Sequence, residues 1–285
     1  MKRIVIIANL VKLRLSLAVT FSALTGYFIN KTFLGPEFLY LLGGILLLAS
    51  GSAALNQYTE RDLDALMERT RGRPIPQDKI GHGTALAISI ILITAGTLCL
   101  SLTGLLPAIL GLFTIFLYNF IYTRLKRITP FAIVPGALVG AIPPVIGFTA
   151  SGASEATFEI VLFSAFMFLW QLPHFALILM KYRNEYKAAG FRITTDKIDN
   201  MTIKRLVFTW GIISSLLLFI FSAVNLVFNR YLTVALIPVN IVFILAFHTL
   251  LFSSEKKEDT KGAFILINVF SIIVMLLFIL NALIS

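Results

Sequence analysis

Stretches of about 20 apolar residues, the length a helix needs to cross the hydrocarbon of a bilayer, recur along almost the whole chain. Nine such spans are read, at roughly 15–30, 38–59, 84–102, 105–123, 131–150, 158–181, 203–226, 231–251 and 263–284. Charged residues make up only 13% of the sequence, against about 25% in a soluble domain. In lipid each segment must satisfy its own backbone polar groups, which leaves helices or a closed barrel; spans of this length select helices. The expected fold is therefore all-α: a multipass membrane bundle of nine transmembrane helices, forming a single domain over residues 1–285.

The remaining charges set an orientation. With the N-terminus inside, 22 of the 24 lysines and arginines fall in inside loops, and only Lys31 and Arg230 lie outside. That bias predicts a cytoplasmic N-terminus and an odd number of crossings. It also accounts for the net charge of +10, so no nucleic-acid partner is expected. The single cysteine, Cys99, lies inside a span and excludes both a disulfide framework and a cysteine metal site. The first residues, basic and then briefly apolar before Lys12 and Arg14, read as an uncleaved segment lying at the interface. Two inside loops, about 60–83 and 182–202, are much longer than the others. Long loops in a compact bundle are usually functional, which places the expected active site at the cytoplasmic face.

The first of these loops opens on Asn56, Glu60 and Asp64, followed by Arg69, Arg71 and Arg73. On a continuous helix the first three share one face. Stacked oxygen donors suit a hard divalent cation, and Mg²⁺ commonly bridges carboxylates to substrate phosphates. The arginines supply the charge a diphosphate needs. The same pattern also fits a membrane helix ending in an ordinary charged loop. Tyr122 and Lys126, four apart, fit either a shared site or a positive-inside anchor with an interfacial tyrosine. His174 follows Pro173 inside an apolar helix, with Trp170 and Gln171 nearby. It reads either as a packed core histidine or as part of a polar, aromatic pocket for a flat macrocycle or aromatic acceptor. Glu185 leaves the sixth span much as Glu60 and Asp64 leave the second, as if two similar halves faced one cavity. The run from Pro135 to Gly147 is expected to bend or thin the fifth helix.

Asn56-x-x-x-Glu60-x-x-x-Asp64 with Arg69-Thr-x-x-Arg73-Pro74 resembles the first signature of the UbiA-type intramembrane prenyltransferases. Three stretches are similar to their haem-farnesylating branch, the haem O synthases: Tyr122-Thr-x-x-Leu-Lys126-Arg127-x-Thr129, the run Gly136 to Gly147, and Trp170-Gln171-x-Pro173-His174-Phe175. The last is the most specific, and the resemblance covers about residues 10–195. It implies a transferase that moves a farnesyl group from farnesyl diphosphate to a vinyl group of haem B, with water addition giving haem O. It further implies Mg²⁺ held by Asn56, Glu60, Asp64 and Glu185, with Lys126 also catalytic. Arg69, Arg73, Tyr122 and Arg127 would bind the diphosphate. Trp170, Gln171 and His174 would meet the haem, and Lys12 and Arg14 its propionates or a phosphate. The implied setting is the cell membrane, with a haem A synthase or terminal oxidase assembly as downstream partner.

Two positions depart from the family pattern: Glu60 stands where Asp is usual, and Asn184-Glu185 where an acidic-Asp pair is common before Tyr186. Each keeps a carboxylate on an arm one methylene longer, which leaves the number of Mg²⁺ ions open. The alternatives are a relative acting on an aromatic or quinone precursor, and a multipass transporter. A transporter should carry charges or broken helices near the membrane midplane, whereas these carboxylates cluster at one face.

Overall fold

A computed structural model describes residues 2–190, 198–223, 230–253 and 260–284. Of the charges counted above, Arg192, Lys197, Lys256 and Lys257 lie outside the described residues. All regular structure among the described residues is helical. In chain order the helices are α1 (Lys2–Leu10), α2 (Leu13–Asn30), α3 (Pro36–Thr59), α4 (Arg61–Leu66), α5 (His82–Ser101) and α6 (Leu105–Phe116). There follow a π-helical turn (Leu117–Tyr122), α7 (Thr123–Ile128), a 3₁₀ turn (Pro130–Ala132) and α8 (Ile133–Ala150). The chain continues with α9 (Phe158–Lys181), α10 (Arg183–Ala188), α11 (Asn200–Ala223), α12 (Arg230–Phe252) and α13 (Lys261–Ile284).

Eight helical runs are long and apolar enough to cross a membrane, and the number reaches nine if α1 and α2, bent by 52°, form one span. Large side chains such as Ile91, Leu105 and Leu245 point outward, while Asn56, Gln57, Glu60, Asp64 and Asn119 are buried. A lipid surround inverts the usual sorting, because apolar side chains lose nothing by facing it while polar groups need partners inside.

Without water to drive them together, membrane helices rely on close packing at small residues. A β-carbon on Gly147 of α8 would lie 1.7 Å from the Ala23 carbonyl oxygen of α2. One on Gly26 of α2 would lie 1.9 Å from the Pro144 carbonyl oxygen of α8. The Pro/Gly run does not interrupt α8, which continues through Pro143 and Pro144. Its thinness is used for the approach to α2. The second half of the chain instead packs an aromatic core that includes Phe163, Phe166, Trp170, Phe243, Phe247, Phe270 and Phe278.

Two local expectations are corrected. Asn56, Glu60 and Asp64 do not lie on one continuous helix: α3 stops at Thr59, Glu60 sits at the break with φ −105° and ψ 6°, and α4 begins at Arg61. The fourth apolar span does not end at 123, since the helical run continues to Ile128 through the π-helical turn.

Candidate active site

The break after α3 gathers the acidic motif rather than dispersing it. Asn56, Glu60 and Asp64 are 2%, 5% and 1% exposed. Asn56 Nδ2 donates to Glu60 Oε2 at 2.9 Å and to Thr123 Oγ1 at 3.3 Å. Its Oδ1 accepts from Lys12 Nζ at 3.0 Å and from the Tyr118 hydroxyl at 3.3 Å. Lys126 Nζ lies 2.7 Å from each oxygen of the Glu60 carboxylate. Arg73 Nη1 donates to both oxygens of Asp64, at 2.7 and 2.6 Å. Asp64 lies beyond the spanning helix; burial holds its carboxyl above the usual range, although the Arg73 guanidinium pulls the other way. The Asp64 carbonyl accepts from Thr70 Oγ1 at 2.9 Å, folding the arginine-bearing loop back over the carboxylates. Asp62, with its side chain 85% exposed, has no part in the cluster.

The π-helical turn brings the opposite wall. Its extra residue per turn sets the Tyr118 and Tyr122 rings 5.7 Å apart and nearly parallel. Asn119 anchors the turn to α3 through Ser52, at 2.7 Å. Tyr122 stacks in turn on Phe175 at 5.9 Å and sits 5.3 Å from Lys126 Nζ. Phe175 meets the edge of His174 at 5.8 Å, and His174 packs 5.0 Å from Trp170 and 5.0 Å from Phe264. A continuous aromatic wall thus runs from the carboxylates into the bundle. Trp170 Nε1 is committed to the Ile267 carbonyl at 2.8 Å, whereas His174 Nδ1 is buried without a hydrogen bond. Gln171 leans into the space that the missing side chain of Gly140 leaves, since a β-carbon there would lie 2.7 Å from Gln171 Oε1.

Not every expected residue joins the cluster. Glu185 Oε2 accepts from the Arg69 backbone N–H at 2.9 Å, and the Arg69 side chain bonds the Tyr186 hydroxyl and stacks over Tyr182. Among the described residues no three His, Cys, Asp or Glu side chains come close enough together to hold a metal. The protein therefore offers two carboxylates and an amide oxygen. That set fits Mg²⁺, which takes one or two carboxylates and completes its shell with phosphate oxygens and water. Arg14 and Arg127 are exposed. Lys12 lies with Asn56, near Glu60, Asp64, Arg73 and Lys126. Sequence reasoning missed Tyr118, Thr123 and Gln57. Tyr118 carried a usable signal, standing four residues before Tyr122 as Tyr122 stands before Lys126.

The family model described as "UbiA prenyltransferase family" matches residues 19–279. The chain belongs to the UbiA prenyltransferase family. A protoheme IX farnesyltransferase from Geobacter sulfurreducens is 43% identical over 154 residues, which is 54% of this chain and 57% of that relative. The chain thus spans little more than half the length of that protein. Another protein of that name, from Nitratidesulfovibrio vulgaris, is 36% identical over 72% of this chain and 71% of its own length. Among solved structures, one titled for digeranylgeranylglyceryl phosphate synthase superposes with a TM-score of 0.79 at 16% identity over the full length of both chains. A UbiA homolog from Archaeoglobus fulgidus bound to GPP and Mg²⁺ gives 0.72 at 16% identity, over 97% of this chain and 98% of that one. These two likenesses show the UbiA fold, and the eight long apolar helices together with the family model support a multipass membrane protein.

Proposed function

We propose that the chain converts haem B to haem O by transferring a farnesyl group from farnesyl diphosphate. One observation carries this reading: the buried Asn56–Glu60–Asp64 cluster, held by Lys12, Lys126 and Arg73, is joined by an aromatic wall to His174. The relatives named protoheme IX farnesyltransferase support the substrates, and the homolog bound to GPP and Mg²⁺ supports an allylic diphosphate with metal.

Asn56, Glu60 and Asp64 would hold Mg²⁺, while Glu185, outside that cluster, holds the arginine-bearing loop through the Arg69 backbone N–H. Bound there, the metal supplies Lewis-acid stabilisation of the departing diphosphate. Arg73 and Lys126 turn from the carboxylates to phosphate oxygens, and Arg69 and Arg127 reach the same anion from the loop ends. As the allylic C–O bond breaks, its electron pair leaves with the diphosphate, and these cations stabilise the developing charge. The faces of Tyr118 and Tyr122 line the allylic cation and keep water from it. The haem vinyl π electrons form the new C–C bond, and the positive charge passes to the vinyl carbon beside the ring. Water adds at that carbon and releases a proton, giving the hydroxyethylfarnesyl side chain. His174, Trp170 and Gln171 would orient the haem, His174 Nδ1 being a buried donor or acceptor with no hydrogen-bond partner among the described residues.

The same reading places this single-domain bundle in the cell membrane, with nine crossings and its N-terminus and active site on the cytoplasmic face. Haem O would pass to a haem A synthase or terminal oxidase assembly. The test is a product assay in membranes supplied with haem B, farnesyl diphosphate and Mg²⁺, with and without chelator. Haem that gains a farnesyl group plus water, only without chelator, is the expected result. Unchanged haem together with a prenylated phenolic quinone precursor would assign the chain to the other acceptor class.

A further inference from the structure

Asn56 offers one amide oxygen, and Lys12 already uses it. The ammonium gets there through an unusual backbone: Lys12 has φ 45° and ψ 53°, the left-handed region, at the elbow between α1 and α2. Residues with a β-carbon avoid that region unless their surroundings hold them there. Here the surroundings are specific. Gln57, 0% exposed, sends its Nε2 to the carbonyls of Asn9 and Leu10 at 2.8 Å each, gripping the last turn of α1. Ser16 Oγ donates to the Val11 carbonyl at 2.9 Å from the other side, and Leu10 and Val11 are themselves buried. Asn56 and Gln57 are neighbours on α3, so one turn of one helix carries both the oxygen and the clamp that aims a cation at it.

We infer that Gln57 is a positioning residue that fixes Lys12 against Asn56 Oδ1, so that Lys12 and a divalent cation compete for that oxygen. The inference rests on the reading of Asn56 as a metal donor. An ammonium at hydrogen-bonding distance fills the space a metal needs at about 2.0–2.1 Å from the same oxygen. Two cations on one amide oxygen also repel each other strongly in a buried site. A diphosphate relieves the conflict, because it gives Lys12 anionic oxygens to turn to as the metal arrives. Metal and diphosphate therefore bind cooperatively, each raising the affinity of the other by the same factor.

The experiment measures Mn²⁺ binding to the purified full-length chain in detergent by electron paramagnetic resonance. It is run with and without a farnesyl thiodiphosphate analogue, for the wild type, Lys12→Met, Gln57→Leu and the double variant. Lys12→Met is expected to tighten Mn²⁺ binding in the absence of the analogue by about tenfold and to shrink the gain the analogue brings. Gln57→Leu should shift both quantities the same way, and the double variant should match Lys12→Met alone, because the two residues act as one unit. A purely structural role for either residue would loosen metal binding, not tighten it. Should Gln57→Leu not purify as folded protein, Ser16→Ala loosens the same elbow and must shift Mn²⁺ affinity in the same direction. Unchanged or weaker Mn²⁺ binding in Lys12→Met overturns the competition. Unchanged binding in Gln57→Leu, beside tighter binding in Lys12→Met, overturns the positioning role. A wild type that binds no Mn²⁺ even with the analogue removes the metal reading, and the inference with it.

Discussion

Asp64 holds Arg73 through both of its oxygens while almost wholly buried. Replacing it with Asn removes the charge that both a metal and Arg73 require. Asp64→Asn is expected to lower kcat by about a hundredfold or more, measured as haem O formed per minute; wild-type rates would contradict the metal assignment. Because a buried ion pair that loses one partner costs roughly 3–5 kcal/mol, the same variant should also unfold at a lower temperature in detergent. His174→Ala should weaken haem binding at least about tenfold and leave the diphosphate KM unchanged, read from haem absorbance titrations and initial rates. The acidic motif stood out by its four-residue spacing, although the break at Glu60 and not one helical face gathers it, and the Trp170–Phe175 stretch stood out by its unusual composition. Lys12 was legible only as a basic residue near the start. Its bond to Asn56 spans 44 residues, and only the packing of α1 and α2 against α3 creates it.

Apolar runs of about 20 residues located the long helices but not the two irregularities that shape the site. The stop at Thr59 leaves no mark in Gln57-Tyr58-Thr59-Glu60, and nothing in Leu117 to Tyr122 announces a π-helical turn. Both come from tertiary demands: Glu60 is turned toward Lys126, and the turn that carries Tyr118 and Tyr122 is pinned through Asn119 to Ser52. Glycine seams were easier to read, since small residues in a membrane helix suggest close contact. Gly147→Val is expected to separate α8 from α2, because its β-carbon would fall 1.7 Å from a carbonyl oxygen that cannot retreat. Overpacking of this kind costs at least about 1–3 kcal/mol. A drop in unfolding temperature and in the yield of monodisperse protein would register it, and a wild-type melt would show that α2 and α8 part without penalty.

The charge bias is the ground for the proposed orientation, and two exposed positions just beyond opposite ends of α3 test it. In a Cys99→Ser background, Asp62→Cys should react with a membrane-impermeant maleimide only from the cytoplasmic side, and Phe33→Cys only from the other. The reverse pattern would invert the bundle. At this scale the sequence conveyed the class of fold through its apolar spans. It could not show how the loop after α3 folds back, because Thr70 and Arg73 reach Asp64 through geometry that no periodicity encodes. That fold-back has a consequence for how the protein is made. With Arg73 on Asp64 and Lys126 on Glu60, each carboxylate of the folded cluster is already paired with a cation of the chain itself. A cluster paired in this way needs no added cation to bury its carboxylates, so folding does not have to wait for the ion that the proposed reaction would use.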